Sequence, residues 1–276
     1  MLTYSERVAV SSEQRKACLA LALDAAEHAG AAALPFFRTG ASVDNKAGEA
    51  EMGRGFDPVT EADRAAETVI RERIKGAFPE HGLLGEEFGH QEGNGLTWVI
   101  DPIDGTRGFV TGQLHWGVLL GLFDGQAPVL GVLHQPFTGE TFFGSGGRAG
   151  YRHAGEERAL RVRPCAALAD AALAATTPRM FKSGEERAAF DRVDGAVRFT
   201  RFGGDCYNYA LLAMGCLDLV VEASLQPYDI QALIPIVRGA GGVITTWSGG
   251  DPCMGGTAVA AGDARVHEEA LHLLNQ

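Results

Sequence analysis

The stretch Trp98-Val99-Ile100-Asp101-Pro102-Ile103-Asp104-Gly105-Thr106 begins as a short apolar β-like run, stops at Asp101-Pro102 and ends in a turn. Proline fixes the backbone between the two aspartates and Gly105 permits a sharp turn after them. Two carboxylates so close at the end of a strand can approach one cation or a pair of cations. Left unneutralised, they would suffer repulsion and desolvation. Mg²⁺ is the cation that suits such a set: it takes oxygen ligands, keeps several waters and binds substrate phosphate. Read alone, Asp-Pro-x-Asp-Gly is equally a plain turn. No Cys/His ligand set accompanies it, which argues against structural zinc.

Outward from this stretch, residues 116–123 and 128–134 read as strands, joined at Asp124-Gly125 in a hairpin. Residues 141–143 and 159–162 add short strands, so this half reads as antiparallel. Upstream, 12–37 reads as an alanine-rich helix capped by Ser12, and 39–56 as a long glycine-punctuated loop. A second helix is predicted from Thr60 to Lys75, ended by Gly76. Downstream come a helix over 205–215, a strand over 217–221 and a helix from Asp229 through Arg238. A strand over 243–245 and a helix over 264–274 complete the chain. The order argues for a layered α+β protein. We read 1–276 as one catalytic domain with approximate internal halves 1–150 and 151–276.

The chain has 276 residues, enough for one large core or two closely joined halves. Its net charge is −11, from 35 Asp plus Glu against 24 Lys plus Arg, which disfavours a nucleic-acid groove but not an anionic small molecule held through cations. Five scattered cysteines without a CxxC pair read as buried thiols in a reducing compartment. With no apolar signal core and no uninterrupted membrane-length run, the expected location is the cytoplasm, with no membrane partner. Trp98, Trp116 and Trp247 read as core or sheet anchors. His81, His90, His115 and His134 have no ligand spacing.

Further acidic residues fall at predicted element ends: Asp63, Gly85-Glu86-Glu87 and Asp229. With residues 98–106 they resemble the inositol monophosphatase superfamily. Asp57-Pro58-Val59-Thr60-Glu61-Ala62-Asp63 is similar to its upstream element. Pro227-Tyr228-Asp229, followed by an apolar helix and Ala240-Gly241-Gly242, is similar to its distal aspartate segment. The resemblance implies an α-β-α-β-α sandwich and Mg²⁺-dependent hydrolysis of a small phosphate ester, with two or three ions per site. It implies that Glu86, Asp101 and the Ile103 carbonyl bind one metal, and that Asp101, Asp104 and Asp229 bind a second. It further implies that Asp63 and Thr106 position water, Gly105 and Thr106 offer N–H groups to phosphate, and Lys46 sits near a mobile entrance. It also implies a homodimer. Without it, Asp63 and Asp229 are equally helix caps, Thr106 a turn hydroxyl and Lys46 a solvated lysine.

The resemblance is nearest to the histidinol-phosphatase branch, through Arg107 after Thr106, through Gly204-Asp205-Cys206-Tyr207 and through residues 221–229. Ser224 and Gln226 depart from it, standing where that branch often has glycine and lysine. The expected substrate is therefore L-histidinol phosphate, an ester from histidine synthesis. Glu222 and Asp205 would face its cationic end, and Arg107 would contact substrate or orient an acidic wall. Tyr207 and Tyr228 either line the cavity or pack on the scaffold. The alternatives are an inositol-phosphate, sugar-phosphate or nucleotide 3′-phosphate phosphatase, and, from a different class, a non-catalytic metal-responsive binding protein.

Overall fold

The computed structural model describes residues 2–39, 43–45, 58–182 and 184–276, with backbone alone for 43–45 and 58–60. Helix α1 (Ser12–Ala33) is capped by Ser11, not Ser12. The Ser11 hydroxyl accepts the Gln14 N–H at 3.1 Å, and the helix gives way to a 3₁₀ turn over Leu34–Phe36. Helix α2 (Glu61–Ala77) continues through Gly76, the expected end, because a glycine facing open space costs too little to stop it. The two helices bury Ala22, Ala25, Ala26 and Ala29 of α1 and Ala62, Ala66, Ile70 and Ile74 of α2, at the three- and four-residue spacing of a helix face. The segment from Ser12 to Phe36 is long and apolar enough to cross a membrane, unlike the expectation from sequence. In this fold one face of it packs into the core beside α2.

A short antiparallel pair is formed by β1 (Val43–Asn45) and β2 (Pro58–Thr60). The first large sheet then comprises β3 (Gly82–Gly85), β4 (Gly89–Gln91), β5 (Thr97–Asp104), β6 (Gly117–Phe123), β7 (Pro128–Gln135), β8 (Glu140–Ser145), β9 (Arg148–His153) and β10 (Glu156–Ala159). Its order is β10-β9-β8-β7-β6-β5-β3-β4, antiparallel except that β3 runs parallel to β5. Residues 160–162 lie outside the sheet, contrary to expectation, and a β9–β10 hairpin precedes them. The sheet thus reaches past the division expected near residue 150.

The second sheet holds β11 (Ala172–Ala175), β12 (Phe199–Phe202), β13 (Leu219–Leu225), β14 (Val243–Thr245) and β15 (Gly256–Ala261), in the order β12-β11-β13-β15-β14. The other helices are α3 (Thr106–Val110), α4 (Glu185–Asp194), α5 (Cys206–Ala213), α6 (Pro227–Ile230), α7 (Leu233–Gly239) and α8 (Ala264–Leu274).

Strand alternation explains the layering, because successive side chains enter opposite faces. Trp98, Ile100, Leu120 and Leu122 join the core under α1 and α2, whereas Val99, Leu119 and Phe123 join the central core with α5, α6 and α7. In the second sheet Val220 and Ala260 point to that central core. Leu219, Val221 and Val259 point outward to Phe190 of α4 and to Val266 and Ala270 of α8. Both faces are covered over the central strands, hence the unbroken apolar run in β6 and the buried Leu219-Val220-Val221 that opens β13. The result is the α-β-α-β-α sandwich.

The helix expected from Asp229 through Arg238 is two helices. Pro235 has no N–H to give to the residue four back, so the chain breaks between α6 and α7. That break lies against a lane of glycines. Gly121, Gly131 and Gly144 stand side by side on β6, β7 and β8. A Cβ on Gly131 would lie 1.9 Å from the Ala232 carbonyl oxygen, and one on Gly144 would lie 2.2 Å from the Pro235 backbone. Bare backbone is what lets α6 and α7 sit this close to the sheet.

Candidate active site

The site forms where elements end. Because β3 and β5 are parallel neighbours, their C-terminal ends lie together: Gly85 pairs with Ile100, and the Glu86 N–H donates to the Ile100 carbonyl at 3.2 Å. Glu86 and Asp101 therefore leave adjacent strands side by side. In a regular strand, Asp101 and Asp104 would face opposite sides. The pairing with β6 shifts register between them, Asp101 opposite Leu119 and Asp104 opposite Gly117, so a bulge brings the two carboxylates to one side. Asp101 also accepts the Ile103 N–H at 3.1 Å. The strand does not stop at Asp101 as expected; it carries both aspartates.

The second half supplies the rest. The bulge in β13 after Glu222, with Ser224 at φ +62°, turns the chain into α6. Asp229 is the third residue of α6, not its cap. Gln226 is the cap, and the Asp229 carboxylate accepts the Gln226 N–H at 2.8 Å in a reciprocal capping box. One carboxylate oxygen each from Asp101, Asp104 and Asp229 then lie within 4.8 Å of one another. Asp104 also accepts the Cys206 N–H at the start of α5, at 2.7 Å. Asp63, 2% exposed in the first turn of α2, is near enough for its charge to act on Asp101.

Burial pushes the Asp101 carboxyl well above the usual carboxylate range, and the charges of Glu86, Asp104, Asp229 and Asp63 push it further. Asp104 is raised likewise by burial and by Asp205 and Asp229, against hydrogen bonding from Cys206. Several carboxylates crowded out of water repel one another unless a cation neutralises them. The donors are all oxygen, the set that suits a hard divalent ion such as Mg²⁺. The residues fit the ion that the sequence implies.

Beside these groups, Gly105 holds φ +82° as α3 begins at Thr106. The Thr106 hydroxyl donates to the Ile103 carbonyl at 3.1 Å, leaving its lone pairs to accept from another molecule. Asp205, at the head of α5, makes no side-chain cap bond there. Burial raises its pKa, while the Gly204 backbone and the charges of Arg107 and His115, both near enough to act on it, lower it.

Glu222 is buried on β13. It accepts the Thr176 N–H at 3.1 Å, the Thr176 hydroxyl at 2.5 Å and the Tyr209 hydroxyl at 2.9 Å. Burial pushes its pKa up to about 7 against these donors, with Asp205 adding to the rise. Thr176 and Tyr209 were missed by sequence reasoning. Tyr209 carries a usable signal, lying four residues after Asp205 on the predicted helix. Tyr207 belongs to the scaffold, donating to Glu140 at 2.6 Å with its ring against Phe142. Lys46 lies outside the described residues.

The family model of the inositol monophosphatase family matches residues 15–276. The chloroplastic bifunctional phosphatase IMPL2 of Arabidopsis thaliana is 40% identical over 231 residues, 79% of this chain and 66% of that protein. The histidinol-phosphatase of Chlorobaculum parvum is 36% identical over 84% of this chain and 86% of its own. Among solved structures, an inositol monophosphatase from Zymomonas mobilis superimposes with a TM-score of 0.83 at 38% identity, covering 96% of this chain and all of that one.

Proposed function

The chain belongs to the inositol monophosphatase family, and from that premise we propose that its substrate is L-histidinol phosphate, hydrolysed to L-histidinol and phosphate in histidine biosynthesis. Members of this family are phosphatases that use Mg²⁺, and the chain is a phosphoric monoester hydrolase acting on small esters. The observation that carries the substrate reading is the second acidic pair beside the metal carboxylates. Glu222 is buried and Asp205 half-buried, close enough for Asp205 to raise Glu222. A neutral polyol needs no such charge, whereas an ammonium or imidazolium group gains charge-assisted hydrogen bonds from it. The named histidinol-phosphatase relative supports the same reading.

In this mechanism Glu86, Asp101 and the Ile103 carbonyl would hold one ion, and Asp101, Asp104 and Asp229 would hold another. A third belongs to the same reading. When bound, Mg²⁺ neutralises charge on the phosphoryl oxygens and the leaving oxygen. The chain's own groups handle water and proton. Thr106, its hydroxyl hydrogen directed at Ile103, accepts a hydrogen bond from the attacking water. Glu86, with Asp63 and Thr106 orienting the water, takes its proton as the new O–P bond forms opposite the breaking ester P–O bond, and the departing alkoxide takes a proton from solvent water to leave as the alcohol. The N–H groups of Gly105 and Thr106 steady the phosphate, and Arg107 orients Asp205. A homodimer in the cytoplasm completes the reading, to be checked by sedimentation. The free cysteines fit a reducing compartment, and the net charge of −11 fits a small ester better than a nucleic-acid polymer.

Phosphate release in Mg²⁺ across histidinol, myo-inositol, sugar and nucleotide 3′-phosphates tests the assignment. Histidinol phosphate should be turned over most efficiently, and chelation should abolish activity. Efficient turnover of inositol phosphate with negligible turnover of histidinol phosphate would replace the substrate. That second reading is favoured by the similarity to the Zymomonas mobilis inositol monophosphatase. Metal-dependent association without phosphate release from any ester would return the chain to a binding role.

A further inference from the structure

We infer that Glu67 is a positioning residue for metal binding, acting through the turn that carries Glu86. Its side chain is fully buried on α2, four residues after Asp63 and therefore on the same helix face. One carboxylate oxygen accepts the Glu87 N–H at 2.8 Å. The other accepts the Phe88 N–H at 3.2 Å and the Arg71 Nε at 2.7 Å. Arg71 then donates from a second nitrogen to the Gly89 carbonyl at 2.5 Å. The turn between β3 and β4 is thus gripped from both ends, its N–H groups by Glu67 and its far carbonyl by Arg71.

The fit is close. A Cβ on Gly85 would lie 1.9 Å from a Glu67 carboxylate oxygen, so the glycine before Glu86 is required by Glu67 itself. A buried carboxylate is costly unless paired and hydrogen-bonded, and here three donors meet it. The consequence reaches the site because Glu86 sits between Gly85, packed on this carboxylate, and Glu87, bonded to it. One rigid helix therefore sets two positions: Asp63 directly, and Glu86 through Glu67.

The inference rests on the reading that Glu86 is a metal ligand, and the test separates the two. Mg²⁺ binding is measured by titration calorimetry on the wild-type protein, Glu86→Gln, Glu67→Gln and Ile74→Val. The last trims the buried face of α2 away from the turn. Glutamine at 67 keeps one acceptor oxygen but turns an NH₂ group toward the donors it must meet. Glu86→Gln and Glu67→Gln should each weaken Mg²⁺ binding by about 10-fold or more, the cost typical of groups that orient metal ligands. Ile74→Val should lower Tm and leave Mg²⁺ affinity alone. Wild-type affinity in Glu86→Gln would remove the ligand reading. Weakened binding in Glu86→Gln with wild-type binding in Glu67→Gln would overturn the inference alone. Should Glu67→Gln not fold, Arg71→Lys, which loses the two-point grip, should weaken Mg²⁺ binding severalfold. Unchanged affinity there would equally overturn it.

Discussion

The Asp104 carboxylate accepts a hydrogen bond from the Cys206 backbone N–H at 2.7 Å, joining the bulged end of β5 to the head of α5. A strand of the first sheet and the head of a helix thus fix one carboxylate between them. The bond has a clear consequence for mutation. In Asp104→Asn the amide oxygen still accepts from Cys206, so the fold survives while the charge is lost. Turnover of histidinol phosphate should fall by at least about 100-fold, at the upper end for disturbed metal environments. The rise in Tm that Mg²⁺ gives the wild-type protein, about 2.7 kcal/mol of stabilisation at 100 times Kd, should shrink in the variant. Phosphate-release assays and thermal melts with Mg²⁺ or EDTA check both.

Glu222 predicts a pH dependence of stability. Its pKa is raised by burial to about 7, so the folded state holds a proton that the unfolded chain releases near the ordinary glutamate value. The stability linked to this proton is fully present below the unfolded pKa and is lost as pH rises through about 7. Glu222→Gln removes the titration. Its Tm relative to wild type should therefore rise between pH 5 and pH 8, by a few degrees, since 1 kcal/mol moves Tm by about 2–4 °C in a large domain. A constant difference across that range would contradict the assignment. At pH 7.5, the same variant should raise KM for histidinol phosphate about 10-fold and change myo-inositol phosphate kinetics less.

Tyr209 donates to that carboxylate from within the central core. At pH 8, where the Glu222 carboxylate is charged, Tyr209→Phe should cost about 1.5–3 kcal/mol by denaturant unfolding, the range for a hydrogen bond to a charged group. With Glu222 already replaced by glutamine the cost should be smaller, because the two side chains act as one unit.

Gly105 holds φ +82°, and a Cβ there would lie 2.5 Å from the His115 carbonyl oxygen. Gly105→Ala combines a left-handed backbone, about 1–2 kcal/mol, with that clash. The variant should lose several degrees in Tm and about 10-fold or more in turnover, because Thr106 starts α3 at the next residue. Wild-type activity in a folded variant would show that Thr106 does not depend on this turn.

The sequence reveals much of this site because its chemistry is local. Asp101, Asp104 and Gly105 fall within one short stretch at the end of β5, and the strands over 116–134 are long apolar runs buried on both faces. What stays hidden is of two kinds. Some strands lack β composition: β11 is Ala-Leu-Ala-Ala, β10 is exposed Glu-Glu-Arg-Ala, and β3 has four residues with glycine at both ends. Tertiary pairing, not propensity, makes them strands. The other kind is contact across long separation. The donors around Glu222 come from residues 176 and 209, and the grip on the Glu86 turn comes from Glu67, twenty residues from its partner Glu87. The bulge that aligns Asp101 with Asp104 is legible only once β6 is seen beside it.

The lane of Gly121, Gly131 and Gly144 sets how far α6, and Asp229 with it, stands from the first sheet. That clearance is gauged by main chain against main chain. Swaps among Leu, Ile and Val in the surrounding cores should accordingly change how firmly the molecule holds together without detuning the cradle for the ion. A single methyl added at Gly131 would do the reverse, levering one carboxylate away from the other two.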